Sequence, residues 1–167
     1  MTEPANSSDQ DLAELSADEQ ERYQWQLWVR GLGAHGQRHL KATTVFVSRI
    51  GGVGGTTAML LAAAGVGRLI LAHAGDIRRN DLNRQLLMTT PAIGTPRIAS
   101  AATALRNLNP HVEIVTIGEN VSADNVARLA GGADVIVSAA PLFAERLAMN
   151  AEAVRRNVPL VDCAMYE

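Results

Sequence analysis

The sequence predicts one α/β domain built on a doubly wound, mostly parallel sheet. Residues 45–64 form an apolar strand that runs through a glycine-rich turn into a helix, and strands and helices alternate from there onward. The strand candidates are continuous apolar runs, such as residues 135–137, which is typical of parallel strands covered on both faces. These observations predict a Rossmann-like fold with helices on both faces, an N-terminal helical segment and a ligand crevice beyond the carboxyl ends of the strands.

Composition limits the class of protein. The chain has 167 residues, 47% of them hydrophobic, and a formal net charge of −2, which fits one domain with an aliphatic core. The near-neutral charge argues against nucleic acid or an anionic membrane surface as a partner. No apolar run reaches the roughly 20 residues needed to cross a bilayer, and the first residues lack the pattern of a signal peptide. We therefore expect a cytoplasmic protein.

The elements follow in order along the chain. We expect residues 1–16, which are small, polar and acidic, to be a disordered or loosely attached tail, and residues 17–167 to form the single domain. A helical segment from 17 to 42 is interrupted at Gly31-Leu32-Gly33. Further on we predict strands at 44–49, 68–73, 112–117, 133–138 and 159–163, and helices at 54–64, 81–88, 95–107, 122–130 and 143–156.

Local signals set several of these boundaries. Pro110 ends the helix before it, because proline cannot continue a helix and disfavours the helical conformation at the preceding residue. The run Ser122-Ala123-Asp124-Asn125 is an N-cap signal. The last predicted strand leaves a sheet edge, which we expect a partner subunit or a missing C-terminal region to cover.

The glycine-rich turn carries the first indication of function. Glycines let the backbone pass close to phosphates, and the helix that follows adds a partial positive charge. In the G-x-G-x-x-G frame the three positions are Arg49, Gly51 and Gly54, so the first glycine is replaced. Two orientations of Arg49 remain open: its guanidinium enters the pocket as a cation or anion binder, or it faces away.

A series of motifs, in a fixed order and spacing, supports a resemblance. They are Arg22-Tyr23-x-x-Gln26, Gly51-Gly52-Val53-Gly54, residues 61–67, Asp81-Leu82-Asn83-Arg84-Gln85, residues 93–97 and residues 107–112. On these motifs the chain resembles the ThiF/MoeB/HesA family of ubiquitin-activating-enzyme-like adenylyltransferases. The family's later zinc site of two Cys-x-x-Cys pairs and its later catalytic cysteine do not occur in this sequence.

The resemblance implies a substrate, a cofactor and an assembly. Family members bind ATP and Mg²⁺ at the glycine turn, adenylate the C-terminal Gly-Gly of a ubiquitin-like or sulfur-carrier protein, and work as homodimers or heterodimers. If ATP binds here, the implied contact residues are Gly51, Gly52, Gly54, Arg84, Gln85 and Arg97.

Six positions depart from the family pattern. The replaced family residues are the first glycine of the turn, an arginine that reaches across the dimer, two acids after the second strand, an asparagine near the phosphates and the aspartate that holds Mg²⁺; here they are Arg49, Trp25, His73, Gly75, Asp81 and Pro141. Because the ribose acid and the metal acid are both replaced, we predict no catalytic residue, no metal ligand and no bound cofactor. The prediction is a non-catalytic subunit that pairs with an active family member or holds a carrier protein.

Two alternatives stay open. The first is an active adenylyltransferase with a rearranged site that uses Arg84, Arg97, Asp76 and Asp81. The second is a dinucleotide enzyme that binds NADP through His73 with Arg78 and Arg79.

Several other side chains have simpler interpretations. We expect His73 to be hydrogen-bonded to the backbone at a strand end, and Trp25 with Trp28 to lie in the core or a dimer interface. Cys163, the one cysteine, excludes an internal disulfide and is expected to be a buried structural thiol. The remaining histidines, His35, His39 and His111, are expected at the surface or at helix caps.

Overall fold

The predicted sheet is present in the computed structural model, which describes residues 12–163. Its strands are β1 (Thr44–Ser48), β2 (Arg68–Ala72), β3 (Glu113–Ile117), β4 (Val135–Ser138) and β5 (Leu160–Asp162). The four described pairings between these strands are all parallel, and the strand order is β3-β2-β1-β4-β5. The order reverses between β1 and β4, so the crevice of this doubly wound fold opens where these two strands end.

Helices cover both faces of the sheet, as predicted. They are α1 (Ala17–Arg22), α2 (Gln24–Leu27), α3 (Gly33–Ala42), α4 (Gly52–Ala64), α5 (Arg97–Leu108), α6 (Val126–Leu129) and α7 (Phe143–Arg156). Successive side chains of β1 point to opposite faces: Val47 packs with α4 and α5, and Phe46 packs with α6 and α7. Both β1 side chains are fully buried, which explains why the strand reads as a continuous apolar run.

The predicted helix at 81–88 is wrong. The structure has a 3-10 turn at Arg79–Asp81 and irregular turns up to a second 3-10 turn at Thr90–Ala92. The Asp81 carboxylate accepts a hydrogen bond from the Arg78 N–H at 2.8 Å, so it offers the backbone a partner other than a helical carbonyl. Apolar spacing alone could not reveal this competition.

The predicted helix at 122–130 shrinks to α6, and other boundaries move by a few residues. The Asn125 side chain accepts from the Ser122 N–H at 2.7 Å, so Ser122–Asn125 is a closed turn that precedes the helix instead of its first turn. At the glycine turn the helix begins at Gly52, two residues before the predicted start at 54.

The N-terminal helical segment is interrupted as expected between α2 and α3. Most of the predicted tail, residues 1–11, lies outside the described residues. Of the rest, Leu15 is buried, and the Ser16 hydroxyl accepts from the Glu19 N–H at 3.2 Å to cap α1. Within residues 12–163, no helix is both long enough and apolar enough to span a bilayer.

Candidate nucleotide-type cleft

A cleft of about 320 Å³ opens at the carboxyl ends of β1, β2 and β4. The residues that line it are Arg49, Gly51, Gly52, Val53, His73, Arg84, Gln85, Ala139 and Pro141. Four of the six residues implied for ATP contact are therefore together at this cleft: Gly51, Gly52, Arg84 and Gln85. The other two, Gly54 and Arg97, are not among its lining residues and have contacts of their own.

Gly54 has a packing role. A Cβ atom at this position would lie 3.0 Å from the Ser48 carbonyl oxygen and closer still to that of Arg49. Only glycine lets α4 approach the end of β1 so closely. Helix α4 starts after Gly51 with neither a side-chain cap nor an acid in its first turn, so its first N–H groups and their partial positive charge are left for the cleft.

Arg49 lines the cleft but does not present an unpaired cation to it. Its φ is 58°, in the left-handed region, which costs a residue with a side chain about 1–2 kcal/mol. The guanidinium forms a two-pronged ion pair with Glu145 in the first turn of α7, with Nε 2.8 Å from Oε2 and a second contact from Nη2 to Oε1. Glu145 is 5% exposed. Neither orientation considered for Arg49 describes it fully. The side chain lines the cleft, but its charge is neutralised by Glu145.

Asp81 holds Arg97 away from the cleft in a similar way. Its carboxylate accepts from Arg97 Nη2 at 2.6 Å, from Gln85 Nε2 at 2.8 Å and from the Arg78 N–H. Burial pushes the pKa of Asp81 upward, but the hydrogen bonds from Arg78 and Arg97 outweigh it, and the pKa lies below its ordinary value. The cation that the resemblance assigns to phosphate is engaged in an internal pair.

The position of the second family acid is occupied by Gly75, and the neighbouring Arg97 accounts for the glycine there. Gly75 has a φ of 87°, and a Cβ there would lie 2.8 Å from Arg97 Nη1, so a larger residue would displace the guanidinium. Neighbouring Asp76 is exposed, pairs through its backbone with Pro96 and is not among the residues lining the cleft. The hypothesis of a rearranged active site therefore lacks Asp76 as a carboxylate at the cleft.

His73 follows β2, at the position where the family has its ribose acid, and is 8% exposed. Burial, followed by the positive charges of Arg97 and Arg49, lowers the pKa of His73 to about 4, so the ring is neutral at neutral pH. A backbone hydrogen bond with Ile50 acts in the opposite direction and agrees with the backbone role predicted for this side chain. Its Nδ1 atom has no hydrogen-bond partner among the described residues, and neither does Oε1 of Gln85 beside the same cleft.

The lining residues do not fit Mg²⁺. This ion prefers carboxylate and other oxygen ligands in octahedral geometry. None of the described residues that line the cleft is a carboxylate, and Pro141 stands where the family has its metal acid. Across residues 12–163, no three His, Cys, Asp or Glu side chains are grouped as a metal site.

Arg84 is the cation that remains directed to solvent at the cleft. Its side chain is 52% exposed, donates to the Asn80 carbonyl at 2.7 Å, and lies 3.7 Å from an Asp81 oxygen that is already shared. Arg78 and Arg79 are exposed and are not among the cleft residues, so the NADP hypothesis lacks its phosphate-binding residues there.

The opposite end of α4 carries a second polar cluster, here called the Gly65 network and defined as Tyr23, Gln26, Gln37, Gly65 and Asn109. Asn109 Nδ2 donates at 2.7 Å to both the Tyr23 hydroxyl oxygen and the Ala62 carbonyl. Gln26 and Gln37 donate to the Ala64 carbonyl at 3.0 and 2.8 Å. The network therefore satisfies the last carbonyls of α4. Four of its residues belong to the family motifs, yet they act far from the cleft.

The remaining predictions on single side chains have mixed outcomes. Trp25 and Trp28 are 75% and 66% exposed, in edge-to-face contact with each other, so their placement in the core is wrong and the interface remains a prediction. Cys163 is only partly buried, which corrects the expectation of a buried thiol; burial still raises its pKa. His35, His39 and His111 are exposed, as predicted.

The fold and cleft define a class: an α/β protein of the nucleotide-binding type, with a glycine turn at the topological switch point. Comparison with known proteins gives the family. The model of the ThiF family matches residues 23–167, so the chain belongs to that family and is related to the E1-like adenylyltransferases.

Three relatives illustrate this. The vegetative HesA protein of Trichormus variabilis is 44% identical over 154 residues, 92% of this chain and 58% of the relative. The molybdopterin-synthase adenylyltransferase of Escherichia coli is 34% identical over 92% of this chain and 61% of its own. The crystal structure of the E. coli tRNA N6-threonylcarbamoyladenosine dehydratase TcdA in complex with ATP matches with a TM-score of 0.82 and 25% identity, over 90% of this chain and 61% of that one. The chain spans less than two thirds of the length of these relatives.

Proposed function

We propose that this ThiF domain is non-catalytic, and that it serves as the dimer partner of an active family member or as a subunit that binds a carrier protein. The observation that carries the proposal is the charge arrangement of the cleft. Within residues 12–163 the lining supplies no carboxylate for Mg²⁺, and two arginines at or near the cleft, Arg49 and Arg97, are neutralised by Glu145 and Asp81.

This arrangement opposes adenylyl transfer on physical grounds. Transfer from ATP needs cations that neutralise the charge developing on the phosphates, and a bound metal usually supplies most of this stabilisation. Here the available positive charge is Arg84 together with the N-terminus of α4, which is equivalent to roughly half a charge. Two buried ion pairs would have to break before Arg49 or Arg97 could contribute.

An exposed apolar surface supports a role in association. Trp25, Trp28 and Val29 are exposed together at and just after α2, and Phe143, Leu147 and Val154 are exposed along α7. Large exposed apolar groups on a small domain are typical of protein–protein contacts. The similarity to a molybdopterin-synthase adenylyltransferase and to the SAMP-activating enzyme E1 of Haloferax volcanii supports a protein partner, which we propose to be a second ThiF-family chain or a ubiquitin-like or sulfur-carrier protein.

Isothermal titration of the full chain with ATP, with and without Mg²⁺, tests the first half of the proposal. We expect no measurable binding up to about 1 mM ATP in either condition. This limit corresponds to a binding free energy of about −4 kcal/mol. The E. coli molybdopterin-synthase adenylyltransferase, assayed in parallel, is the positive control. Micromolar binding of Mg-ATP together with pyrophosphate exchange in the presence of a carrier protein would contradict the proposal and favour the rearranged active site. That site in turn requires ATP hydrolysis to fall when Arg84 is changed to Ala.

Sedimentation of the chain, alone and mixed with an intact ThiF-family protein from the same genome, tests the second half. We expect a two-chain species in at least one condition. A monomer in both, with no binding to a carrier protein, would leave the association role without support.

A further inference from the structure

Two histidines lie side by side on the outer surface of helix α3, away from the cleft. His35 and His39 are about one helical turn apart, and their Nε2 atoms lie 3.3 Å from each other. Gln37, two positions from each of them, is fully buried, which places both histidines on the exposed side of the helix. None of the residues that line the cleft belongs to α3, so the pair is a separate feature of the described structure.

The distance between the two nitrogens matches the ligand spacing of a tetrahedral metal ion. Zn²⁺ binds imidazole nitrogens at about 2.0–2.1 Å, so two ligands at the tetrahedral angle are about 3.3–3.4 Å apart. A square-planar ion with bonds of the same length would hold two neighbouring nitrogens about 2.8 Å apart. The observed 3.3 Å therefore favours the tetrahedral ion.

The helix fixes this spacing before an ion arrives. Residues four apart in a helix are neighbours on its surface. Gln37 anchors α3 from the opposite side, because its Nε2 atom donates to the Ala64 carbonyl at 2.8 Å and its Oε1 atom accepts from Gln26 at 2.9 Å. The backbone positions of both ligands are thus set by packing.

The rings themselves need only a small adjustment. They meet edge to face, with their centroids 4.5 Å apart. Without an ion, one Nε2–H contacts the other Nε2; when an ion binds, that proton moves to Nδ1 of the same ring and both Nε2 lone pairs face the metal. The torsion that turns a histidine ring has broad preferences, so exposed rings can make this change at low cost.

The charges close to the pair permit a bound cation. Arg38 and Lys41 lie on the same helix, but each is paired with a carboxylate, Arg38 with Glu14 at 3.1 Å and Lys41 with Glu19 at 2.8 Å. These acids offset the repulsion that the two cations would exert on a divalent ion.

We propose that His35 and His39 together bind one divalent transition-metal ion through their Nε2 atoms, and that Zn²⁺ is the ion that fits. Two protein ligands leave two of the four tetrahedral positions to water. Because both protein ligands are imidazoles, Mg²⁺, which prefers oxygen, does not compete. The ion bridges one turn of α3 and stabilises the folded chain. This inference is independent of the proposed function.

Isothermal titration of the full chain without an affinity tag tests the site, with ZnCl₂ in a buffer that does not bind metals. We expect one ion per chain, binding that EDTA reverses, and no change in affinity when Mg²⁺ is in excess. Proton NMR identifies the ligands: the imidazole resonances of His35 and His39 should shift on titration, and those of His73 and His111 should not.

Single variants distinguish one shared ion from two independent contacts. His35→Gln and His39→Gln should each weaken Zn²⁺ binding about tenfold or more, because a single ring cannot chelate the ion. Glutamine is a good helix former, and both positions are exposed, so the variants should keep the fold. The matched control is His111→Gln, which removes an exposed histidine outside α3 and should leave the affinity unchanged.

Three results would overturn the proposed site. The first is the absence of saturable binding up to about 1 mM Zn²⁺. The second is a loss of less than about twofold in either α3 variant, since the two rings would then not share an ion. The third is an equal loss in His111→Gln. Since no cleft residue takes part, none of these results bears on the titrations with ATP that test the proposed function.

Discussion

Both ends of helix α4 carry motifs of the family, but their polar groups are satisfied to different extents. At its C-terminal end, the Gly65 network joins motif residues from three parts of the chain, and donors from Asn109, Gln26 and Gln37 satisfy the last carbonyls. At its N-terminal end, the glycine turn is also present, but buried polar atoms lack partners and nearby arginines are paired with acids. The first end stabilises the fold, whereas at the second end the polar groups either pair within the protein or lack a partner among the described residues.

This difference shows that family motifs serve two separate purposes. Tyr23, Gln26 and Asn109 lie in motifs that identify the family, yet they contact only the scaffold in this structure. Retention of these residues therefore supports the fold and carries no information about ATP. The residues that would inform about ATP lie at the other end of α4. There Gly51, Gly52, Arg84 and Gln85 follow the family pattern, whereas Arg49, His73 and Pro141 depart from it.

The largest expected effect comes from breaking the stable end. Gly65 has a φ of 85°, and a Cβ there would lie 2.5 Å from Tyr23 Cζ and 2.6 Å from Gln37 Nε2. Gly65→Ala should lower the free energy of unfolding by about 3–4 kcal/mol, from left-handed strain and forced repacking together. Urea denaturation measures this. The matched control is Gly132→Ala, where φ is 80° but no atom lies within 4 Å, and about 1 kcal/mol is expected. Equal losses in the two variants would mean that the network is not tightly packed.

The next effect is a pH dependence of stability at the cleft end. Burial and nearby arginines lower the pKa of His73 to about 4 from 6.5, so between these pH values the unfolded chain binds the proton and the folded chain does not. The free energy of unfolding should therefore fall as the pH drops from 6.5 toward 4, by up to about 3 kcal/mol. The lowered pKa of Asp81 stabilises the fold above its ordinary value of 3.8, so that contribution is lost mainly below this window.

Denaturant titrations of the wild type and His73→Gln across this pH range measure the effect. The variant should lose most of the slope. If both proteins lose stability in parallel, the dependence belongs to other groups and His73 is protonated in the fold.

The smallest expected effect comes from restoring the first glycine of the turn. Arg49→Gly relieves left-handed strain of about 1–2 kcal/mol, but leaves Glu145 as an uncompensated buried charge, which costs about 3–5 kcal/mol. We expect a net loss of about 2 kcal/mol, and the addition of Glu145→Gln should recover most of it. Thermal and urea unfolding of the two single variants and the double variant give the coupling. Additive losses would show that the ion pair contributes nothing.

The sequence predicted the sheet well, because buried parallel strands occur in it as apolar runs between turn signals. The predictions for β2 and β3 differ from the structure by a single residue at one end. The position of the cleft followed from the order of elements. The identity of its glycines and of Arg84 followed from the family motifs, and the structure places Gly51, Gly52 and Arg84 there.

The features that could not be predicted depend on contacts between residues far apart in the sequence, or on one side chain that binds several donors. Arg49 and Glu145 are 96 positions apart, and no local pattern pairs them. The Asp81 carboxylate accepts hydrogen bonds from Arg78, Gln85 and Arg97. The bond from the Arg78 N–H competes with the helix expected at 81–88, and the bond from Arg97 keeps that side chain out of the cleft lining. The tryptophans at α2 look like core residues by type, but a helix of four residues has too little covered surface to bury both.

The Arg49–Glu145 pair also constrains how this chain could change over generations. Once a buried carboxylate has come to depend on an arginine at a glycine position, either replacement alone lowers stability, so the two sites are epistatic. A lineage that carried this pair would pass through a less fit intermediate before the turn could regain its glycine. Selection or laboratory evolution toward nucleotide use should therefore begin at Glu145, on a helix that the glycine motif does not include.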